Sequence, residues 1–564
     1  MKEAVGQANL VLTGMMGAGK TTVGQALAER LDMQFVDLDQ EIQREAGVTI
    51  RQLFEECGED RFRGLETAIL QKVLRRRNQV IATGGGIVTR EENINLIQHH
   101  PVVWLAVDAA AAAQRLTFDG SRPLLKASEA PAGNAVAAAE EGMARWSQLA
   151  EERRLAYSMC DLVVDASQPV EAVVEAVAGW WEDSFSGESY PGRRGWKLEH
   201  LLVDVAEGPY PIHLGWGVLR NLGQRLRSEV GLEQVLVVSN PTVLNLYRDE
   251  LAASMTAAGL KWDIVSIPDG EEYKTLQTVE SIYEAAFRTG LDRRSGIVAF
   301  GGGVVGDVAG FAAATYLRGV KLVQVPTTLL AQVDSSVGGK VGVNHPRGKN
   351  LIGAFYQPVM VAADLALLRT LPYREILTGM AEIIKCGLIA DERLVCDLEA
   401  SAFSDTAAAV SSDVLIHWVK AACRLKAQVV AADTKEAGYR EILNFGHTVG
   451  HAVEKAAGYG RYTHGEAVAI GMVTAALLSH QRGYLTWDET RRIVRLIEKW
   501  GLPTRWESLS IPEVVEACRF DKKARSGRLR FVLLEALGRA KVGEVVEEDE
   551  LVAALKVQAG GGWE

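Results

Sequence analysis

The first 170 residues alternate short apolar runs with stretches in which apolar positions recur every three or four residues. Short runs bounded by polar or glycine positions favour buried strands, and the longer periodic stretches favour amphipathic helices. The strand-like runs are residues 9–13, 35–38, 80–82, 102–107 and 162–164. Strands that alternate with helices in this way predict an open parallel sheet with helices on its faces.

A second series with the same alternation follows a change in composition. Residues 183–196 are rich in Ser, Gly, Pro and Arg, which is typical of a linker. Strand-like runs then recur at residues 235–239, 262–267, 296–300 and 320–325. After about residue 370 the strand signals fade, and long amphipathic patterns over residues 374–500 predict helices.

These patterns predict an α/β protein of several domains. The expected parts are an α/β domain with a parallel sheet over residues 1–172, a linker over 173–198, a Rossmann-like α/β domain over 199–370 and a mainly α-helical domain over 371–564. A chain of 564 residues is too long for one core, since domains hold roughly 100–200 residues each. One activity need not account for the whole chain.

Composition and charge narrow the class of protein. The 48% of hydrophobic and 24% of charged residues are typical of soluble globular proteins. The net charge of −11, without a long Lys/Arg run, makes nucleic acid and anionic membranes unexpected partners. The six cysteines are scattered, no apolar run approaches the roughly 20 residues that cross a bilayer, and a glycine loop stands where a signal peptide would lie. We therefore expect a cytoplasmic protein.

Residues 14–21 read Gly-Met-Met-Gly-Ala-Gly-Lys-Thr and lie between a strand-like run and a helix-like one. This is a complete P-loop pattern in its required context. The glycines let backbone N–H groups surround phosphate oxygens, and the helix N-terminus adds a partial positive charge. Lys20 would bridge the outer phosphates and Thr21 would hold Mg²⁺. The expected nucleotide contacts are Gly14, Gly17, Gly19, Lys20, Thr21 and Thr22.

Carboxylates and a glycine turn follow the P-loop. Asp37 and Asp39 stand two apart at the end of a strand-like run, so on a strand they would share one face near the loop end of the sheet. One could serve the metal and the other an acceptor hydroxyl, although two turn carboxylates would give the same pattern. Residues 61–66, Arg-Phe-Arg-Gly-Leu-Glu, add cations, and the glycines at 84–86 add a backbone that a ligand can approach.

Together these residues resemble shikimate kinase, over residues 9–170. The resemblance implies transfer of the γ-phosphoryl group of ATP to the 3-hydroxyl of shikimate. It implies that Asp39 binds hydroxyls and helps to accept the proton, and that Asp37 assists Mg²⁺. The other residues that it assigns are the carboxylate partners Arg63 and Arg153, the ring contact Gly85 and the lid cation Arg122, which would stabilise the transferring phosphoryl group.

A second glycine-rich loop follows the strand-like run 296–300. Residues 301–306 formally match G-x-G-x-x-G. The carboxylate that would bind ribose about 20 residues further on is missing, because residues 321–324 read Lys-Leu-Val-Gln. We therefore expect a pyrophosphate loop of a different dinucleotide-binding arrangement, with Asp307 directly after it.

Three of the ten histidines lie within residues 447–464. His447 and His451 are four apart and would share a helix face, as metal ligands do and as ordinary polar residues also can. The glutamate of an HExxH motif is absent, so a metalloprotease is not expected. Glu382 and Lys385 share one face of an otherwise apolar predicted helix, where buried charges need partners.

These residues and four further strings closely resemble 3-dehydroquinate synthase, over about residues 199–556. The strings are PDGEEYK at 268–274, QVPTTL at 324–329, DSSVGGK at 334–340 and GKNLIG at 348–353. The resemblance implies conversion of 3-deoxy-arabino-heptulosonate 7-phosphate to 3-dehydroquinate plus phosphate. It implies a zinc site of Glu382, His447 and His464, with cobalt as the alternative metal.

The same resemblance assigns the ligand contacts of this part of the chain. Around NAD it places Glu271, Lys274, Gly302, Gly303, Val304, Asp307, Thr327, Thr328, Asp334 and Lys349. Around a substrate that carries a carboxylate and a phosphate it places Lys340, Asn350, Lys385, Lys426, Arg440, Asn444, His451 and Lys522 or Lys523. Arg318 would reach into a neighbouring subunit, so a homodimer through this domain is expected.

The residue types suit the implied chemistry. A metal bound to a substrate hydroxyl lowers its pKa, so that a hydride can pass to NAD⁺ and phosphate can leave by elimination. The hydride then returns, and the cofactor is not consumed. Catalytic roles fall to Lys20, Asp39 and Arg122 in the kinase part and to Lys340, Lys385, Arg440, Asn444 and His451 in the synthase part.

Two alternatives remain at the level of sequence. The first joins a different small-acid kinase to a polyol-dehydrogenase-like enzyme, but the cations around Lys340, Asn350 and Arg440 would have no use for a neutral polyol. The second makes the N-terminal domain an ATP-binding module without catalysis. Its support is Leu155, which stands where shikimate kinases have a proline two residues before the tyrosine, here Tyr157.

Overall fold

The computed structural model describes residues 8–116, 135–186, 198–458, 460–519 and 528–562. The chain forms two compact units. Unit 1 comprises Met1–His200, Leu219–Glu233 and Glu250–Leu260, and unit 2 comprises Leu201–Val218, Gln234–Asp249 and Lys261–Glu564. Unit 1 therefore includes two segments that lie beyond the predicted linker.

Unit 1 contains a five-stranded sheet in the order β2-β3-β1-β4-β5, and all its neighbouring strands are parallel. The strands are β1 (Leu10–Thr13), β2 (Gln34–Asp37), β3 (Gln79–Ala82), β4 (Val102–Ala106) and β5 (Leu162–Asp165). The five predicted strand runs and the parallel sheet are confirmed. Parallel strands end at the same edge of a sheet, so the loops after β1, β2 and β3 meet there.

Helices cover both faces of this sheet. They are α1 (Lys20–Leu31), α2 (Leu38–Ala46), α3 (Ile50–Leu74), α4 (Glu91–Ile97), α5 (Ala109–Arg115), α6 (Ala135–Ser158) and α7 (Val170–Ser186). Strand residues alternate between two hydrophobic clusters, with Val11 and Ile81 in one and Leu10, Leu12 and Val80 in the other. This alternation follows from the two-residue period of a strand.

Helix α7 occupies the first part of the predicted linker, residues 173–198. Its residues Val173, Val177 and Trp181 are buried against the sheet. The core of unit 1 therefore extends past residue 172, because apolar positions three or four apart continue to face the sheet.

Unit 2 contains a seven-stranded sheet in the order β6-β7-β14-β11-β10-β8-β9, in which every pair from β7 to β9 is parallel. The strands are β6 (Glu199–Val203), β7 (Tyr210–Gly215), β8 (Gln234–Ser239), β9 (Lys261–Ser266), β10 (Gly296–Gly301), β11 (Lys321–Pro326) and β14 (Met360–Asp364). An antiparallel hairpin pairs β12 (Lys340–His345) with β13 (Gly348–Phe355). The predicted strands β8 to β11 are confirmed, and the others were not predicted.

Helices accompany this sheet and dominate the chain after it, which confirms the mainly helical last part. They are α8 (Leu222–Ser228), α9 (Pro241–Ala257), α10 (Leu276–Thr289), α11 (Gly303–Thr315), α12 (Tyr373–Ala390), α13 (Glu392–Ala400), α14 (Thr406–Ser411), α15 (Asp413–Ala432), α16 (His447–Ala457), α17 (His464–Gln481), α18 (Trp487–Lys499), α19 (Ile511–Arg519) and α20 (Glu548–Ala559). Helix α8 belongs to unit 1, and so does the part of α9 from Glu250 onward.

A second antiparallel hairpin interrupts this helical part. It pairs β15 (Leu529–Ala536) with β16 (Arg539–Val546) and was not expected from the fading strand signals. The apolar run at its centre is short, and a short run does not distinguish a strand from a buried helical segment. Within the described ranges, no helix combines the length and the apolar character needed to cross a membrane.

Two candidate active sites

The P-loop connects β1 to α1 and has the backbone conformation that its glycines allow. Gly14, Gly17 and Gly19 have φ angles of 142°, 84° and 82°, which L side chains rarely adopt. Lys20 Nζ donates to the carbonyl oxygens of Gly14 at 2.7 Å and Met15 at 3.0 Å. The loop and the ammonium group thus form a cationic cradle at the start of α1.

The hydroxyl and the carboxylate expected at the magnesium site are in contact. Thr21 Oγ1 donates to Asp37 Oδ2 at 2.8 Å, and Thr22 is exposed in the same helical turn. Asp37 ends β2, and its Oδ1 accepts the N–H groups of Asp39 at 3.0 Å and Gln40 at 3.3 Å. Thr21 and Asp37 therefore lie together at the mouth of the P-loop.

The expectation that Asp37 and Asp39 share one face of a strand is wrong. Helix α2 begins at Leu38, and Asp37 is its N-cap, a position that aspartate favours because its side chain accepts the first orphan N–H groups. Asp39 lies in the first helical turn. It still reaches the glycine turn, since a Cβ added at Gly84 would lie 2.9 Å from Asp39 Oδ1.

The guanidinium of Arg63 is buried against the same glycine turn. Arg63 is 5% exposed, and it donates to Glu66 Oε2 at 2.9 Å and to Glu59 Oε1 at 3.2 Å. A Cβ added at Gly86 would overlap this guanidinium. Burial raises the pKa of Glu66, and Arg63 opposes that shift. No donor among the described residues reaches Glu66 Oε1.

Helix α6 supplies the other side of this pocket. Arg153 Nη1 donates to the carbonyl oxygen of Gly85 at 2.9 Å, and the hydroxyl of Tyr157 donates to the same oxygen. Trp146 Nε1 donates to the carbonyl oxygen of Met16 at 2.9 Å. One helix therefore contacts both the P-loop and the glycine turn.

In unit 2, the glycine loop connects β10 to α11 as the pattern predicts. Gly302 is the N-cap of α11, and Gly303 and Val304 form its first turn. A Cβ added at Gly302 would lie 3.2 Å from the methyl carbon of Thr328. Thr327 and Thr328 follow β11, so two adjacent strand ends supply these residues.

A buried lysine links the glycine loop to the hairpin. Lys274 Nζ lies 2.5 Å from Asp307 Oδ2 and 2.5 Å from Asn350 Oδ1. Burial raises the pKa of the Asp307 carboxyl, and the Lys274 ammonium opposes that shift. Asn350 was expected beside substrate, and the structure places it against a residue that was expected beside NAD.

The strands of the hairpin carry Lys349 and contact Glu271, which both belong to the expected NAD set. Asn350 has a φ angle of 54°, and its N–H donates to Asn344 Oδ1 at 2.9 Å. Asn344 Nδ2 in turn donates to Glu271 Oε1 at 2.8 Å. Lys349 Nζ lies 3.8 Å from Glu454 Oε1. A non-glycine residue at positive φ is strained, and such strain is concentrated at functional sites.

Three residues from three helices converge as the resemblance implies. Glu382 Oε1 on α12 lies 3.8 Å from His447 Nε2 and 3.7 Å from His464 Nε2. Their potential ligand atoms all lie within 4.8 Å of one another. Lys385 lies on the same helix face and contacts Glu382 Oε2. Across the described residues, no hydrogen-bond donor reaches Glu382 Oε1.

The histidines differ in their electrostatic surroundings. Burial, with Lys385 and His464 nearby, lowers the pKa of His447 well below its usual value and favours a neutral ring. His464 Nδ1 lies 3.7 Å from Glu454 Oε2, so its Nε2 is left to face Glu382. The His451 ring centroid lies 5.4 Å from that of His447. His451, Glu454 and His464 form a second set of potential ligand atoms within 4.8 Å of one another.

Cations surround this cluster and are paired with carboxylates. Lys426 Nζ contacts Asp334 Oδ1 and lies 2.5 Å from the Asp334 carbonyl oxygen. Burial alone would raise the pKa of the Asp334 carboxyl. The positive charges of Lys426 and Lys385 outweigh this effect and hold the pKa well below its usual value. Burial lowers the pKa of Lys426, and Asp334 opposes that shift.

A carboxylate that sequence reasoning did not assign joins two of the expected catalytic residues. Glu436 accepts from Lys340 Nζ at 2.7 Å and from Asn444 Nδ2 at 3.2 Å. Its φ angle of 57° lies in the left-handed region. Arg440 is buried beside it and donates to the carbonyl oxygen of Gly338 at 2.9 Å.

One assigned residue does not join either cluster, and two others lie outside the described part of the chain. Arg318 is exposed at the end of the turn Tyr316–Arg318 and has a φ angle of 67°. Arg122 and Lys522 lie outside the described residues. Three carboxylates that were not assigned do join them, namely Glu66, Glu436 and Glu454.

Comparison with known proteins gives matches in both parts of the chain. The shikimate kinase family model matches residues 16–180. The 3-dehydroquinate synthase N-terminal and C-terminal models match residues 264–378 and 379–524. The 3-dehydroquinate synthase of Pelotomaculum thermopropionicum is 50% identical over 364 residues, which are 64% of this chain and 98% of that protein.

Two solved structures resemble the synthase part. One is 2-deoxy-scyllo-inosose synthase complexed with carbaglucose-6-phosphate, NAD⁺ and Co²⁺, at 29% identity and a TM-score of 0.57, covering 64% of this chain and 99% of that one. The other is 2-epi-5-epi-valiolone synthase from Streptomyces hygroscopicus subsp. jinggangensis with NAD⁺ and Zn²⁺ bound. It has the same identity and TM-score and covers 62% of this chain and 97% of that one.

Proposed function

We propose residue roles for two reactions on the premise that this chain belongs to the 3-dehydroquinate synthase family and carries a shikimate kinase domain ahead of the synthase part. It is a bifunctional enzyme of the shikimate pathway, with a phosphotransferase activity and a carbon–oxygen lyase activity. These matches favour this function over a polyol-dehydrogenase-like enzyme fused to an ATP-binding module.

In the kinase domain, the P-loop binds the phosphates of ATP. Backbone N–H groups of residues 14–19 and the N-terminus of α1 point toward the anion. Lys20 exchanges the loop carbonyl oxygens for phosphate oxygens when the nucleotide binds. Thr21 and Asp37, which are 2.8 Å apart, fit Mg²⁺ because both are oxygen ligands beside the phosphates. A Mg²⁺ ion held by Thr21 and Asp37 would neutralise charge on the phosphates.

The acceptor pocket of the kinase is built around the glycine turn. Asp39 binds the hydroxyl that receives the phosphoryl group and accepts its proton. Arg63 and Arg153 bind the carboxylate of shikimate, and Glu66 orients Arg63 by their 2.9 Å contact. Gly85 leaves room for the ring of shikimate. Arg122 is the cation that stabilises the phosphoryl group during its transfer.

In the synthase part, Glu382, His447 and His464 fit a zinc or cobalt ion. One carboxylate and two imidazoles form a ligand set that leaves positions open for substrate oxygens. The buried Glu382 Oε1 lacks a hydrogen-bond partner among the described residues, and the ring of His447 is held neutral, as a ligand requires. Held by these residues, the metal would supply polarisation of a substrate hydroxyl, and NAD⁺ in its site would supply reversible hydride transfer.

The NAD site combines the glycine loop, the ends of two strands and the hairpin turn. The residues that we assign to it are Glu271, Lys274, Gly302, Gly303, Val304, Asp307, Thr327, Thr328, Asp334 and Lys349. Asp307 fixes Lys274 at 2.5 Å, so that the ammonium is oriented before the dinucleotide binds. Preorganised contacts of this kind reduce the entropic cost of binding.

The cations beside the metal ligands bind a substrate with a carboxylate and a phosphate. The residues that we assign to this pocket are Lys340, Asn350, Lys385, Lys426, Arg440, Asn444, His451 and Lys522. Glu436 pairs with the cation Lys340 and accepts from the amide of Asn444, and Asp334 pairs with the cation Lys426. We assign to His451, whose ring centroid lies 5.4 Å from that of His447, the exchange of a proton with the substrate phosphate.

We also propose a homodimer and a reducing compartment. Arg318 is exposed on a strained turn, which is consistent with a role in the site of a neighbouring copy. The six cysteines all lie in described parts of the chain, and none of them forms a disulfide. This pattern is typical of the cytoplasm.

The observation that carries the synthase assignment is the convergence of Glu382, His447 and His464 beside a cationic pocket. The test measures both activities on one preparation of the full chain. We expect shikimate-dependent release of ADP from ATP, and NAD⁺-dependent release of phosphate from 3-deoxy-arabino-heptulosonate 7-phosphate. Phosphate release that persists without NAD⁺ would contradict the synthase roles. Folded protein that releases no ADP in response to shikimate would leave only the ATP-binding module.

A further inference from the structure

The outer edge of the sheet in unit 1 is covered by a side chain instead of another strand. Strand β5 is the last in its order and pairs with β4 on one side. The N–H of Val163 donates to Asn221 Oδ1 at 2.9 Å, and its carbonyl oxygen accepts from Asn221 Nδ2 at 2.9 Å. The Asn221 amide thus provides the two hydrogen bonds that a neighbouring strand would give. Uncovered edge strands expose unpaired backbone groups.

A second residue of the same segment is buried where α6 ends. Arg225 on α8 is fully buried and donates to the carbonyl oxygens of Cys160 at 2.7 Å, Ser158 at 3.3 Å and Asp161 at 3.3 Å. It also pairs with Glu229 one helical turn further on. A cation that binds carbonyl groups after a helix C-terminus stabilises that helix end.

Helix α6, which ends at Ser158, carries three residues of the kinase pocket. Trp146 contacts the P-loop, and Arg153 and Tyr157 contact the carbonyl oxygen of Gly85. Arg153 lies five residues before Ser158, so it is little more than one turn from the end that Arg225 holds. Movement of this end would be transmitted directly to Arg153.

The segment that makes these contacts comes from the far side of the linker in sequence. Leu219–Glu233 belongs to unit 1, yet it lies after the shikimate kinase match, which ends at residue 180. By sequence resemblance it falls within the synthase part, residues 199–556. Asp161 also contacts the end of the predicted linker, because its Oδ1 accepts the N–H of Leu198 at 2.9 Å.

We propose that this segment of the synthase part completes the kinase fold, with Asn221 and Arg225 as positioning residues for kinase catalysis. Asn221 covers β5, and Arg225 holds the end of α6, so together they keep Arg153 against the glycine turn. The role in catalysis rests on the proposed kinase function, whereas the structural role of the segment does not. Neither residue contacts a substrate.

The first test compares kinase constants in full-length variants. Asn221→Ala removes the two edge hydrogen bonds. Arg225→Lys keeps a positive charge beside Glu229 but loses the planar fork that reaches three carbonyl groups. We expect each variant to raise KM for shikimate about 10-fold, because small displacements of a binding group are costly. We expect kcat and the rate of NAD⁺-dependent phosphate release to stay within about twofold, because Arg153 binds the acceptor and does not react.

The matched control is Arg227→Lys on the same helix. Arg227 donates to the carbonyl oxygen of Ala258 at 2.7 Å, which lies in neither α6 nor β5. The Arg227→Lys variant should therefore leave KM for shikimate unchanged. If Arg225→Lys fails to fold, Asn221→Ala decides the question by itself.

Hydrogen exchange supplies a readout that does not depend on kinase activity. The amide of Val163 and the amides of residues 158–161 should exchange faster in Asn221→Ala and Arg225→Lys than in the native chain or in Arg227→Lys. Unchanged exchange in both variants would overturn the structural role. Faster exchange with an unchanged KM would overturn the positioning role. A native chain without shikimate-dependent activity would reject the kinase function, and exchange would still decide the structural claim.

Discussion

At the scale of single residues, Gly86 is required by packing and not by backbone conformation. Its φ angle of −101° is accessible to any residue, but a Cβ there would overlap the guanidinium of Arg63. Arg63 in turn is held by Glu66 at 2.9 Å. The guanidinium of Arg63 can therefore occupy its position only because residue 86 has no Cβ.

We expect Gly86→Ala to raise KM for shikimate by about 10-fold or more, since Arg63 must move away from its carboxylate partner. Steady-state kinetics at saturating ATP measure the effect. Gly179 on α7 is the control, because a Cβ there would meet no atom within 4 Å. Gly179→Ala should leave KM unchanged and stabilise the helix by up to about 1 kcal/mol. Equal KM values in the two variants would argue against Arg63 as a residue that binds the carboxylate of shikimate.

Asp334 links the stability of unit 2 to pH. Lys426 and Lys385 hold the pKa of its carboxyl below the usual value of about 3.9, although burial opposes them. For an acid whose pKa is lowered by folding, the stabilisation is present above the unfolded pKa and is lost as pH falls.

We expect Asp334→Asn to destabilise the chain more at pH 7 than near pH 3, because below the unfolded pKa of about 3.9 the unfolded chain binds a proton that the native carboxylate does not bind. Urea unfolding at the two pH values measures the difference. Asp397→Asn on the exposed side of α13 serves as the control. A loss of stability by Asp334→Asn that is the same at both pH values would contradict the role of this ion pair.

At the scale of elements, helix α7 belongs to the core of unit 1. Val173, Val177 and Trp181 are buried against the sheet. We expect Trp181→Ala to lower the free energy of unfolding by about 3–5 kcal/mol. Chemical denaturation followed by circular dichroism measures the loss. The exposed Glu171 on the same helix provides the control Glu171→Ala, and equal stability of the two variants would mean that α7 is only a linker.

The start of α2 shows why local pattern reasoning failed at one point. An apolar run followed by two alternating carboxylates is compatible with a longer strand, and Asp39 was assigned to it on that basis. The chain instead turns at Asp37, whose side chain accepts two backbone N–H groups. The hydrogen bonds from the Asp37 carboxylate determine that a helix begins at Leu38. The spacing of apolar and polar residues gives no information about such capping bonds.

At the scale of the whole molecule, the two candidate sites lie in different units. Lys20 and the glycine turn are in unit 1, and Glu382, His447 and His464 are in unit 2. None of the residues named here belongs to both sites. The two chemistries should therefore be separable by single substitutions.

We expect His447→Ala to lose bound zinc and NAD⁺-dependent phosphate release while keeping shikimate-dependent ADP release. Lys20→Ala should have the opposite effect, with full metal content and no ADP release. Metal analysis and the two assays on the same preparations distinguish these outcomes. A His447→Ala protein that retains its zinc would contradict the proposed ligand set, since removing one of three protein ligands weakens binding strongly.

The sequence by itself determined the features that depend on neighbours within a few residues. Apolar periodicity identified nine strands and the helices between them, and the spacing of Gly14, Gly19 and Lys20 identified the nucleotide loop. The resemblance of longer strings then implied both activities and most of the assigned residues. These signals are local, because helix period, strand period and loop geometry act over short stretches of chain.

Tertiary structure decided which distant residues meet. It brought Glu382 to His447 and His464, and it supplied Glu66, Glu436 and Glu454 as partners for groups that were already assigned. It also placed Leu219–Glu233 in unit 1. The physical reason is that a buried charge or an edge strand can be satisfied by any suitable group that packing brings near, and separation along the chain does not limit that choice.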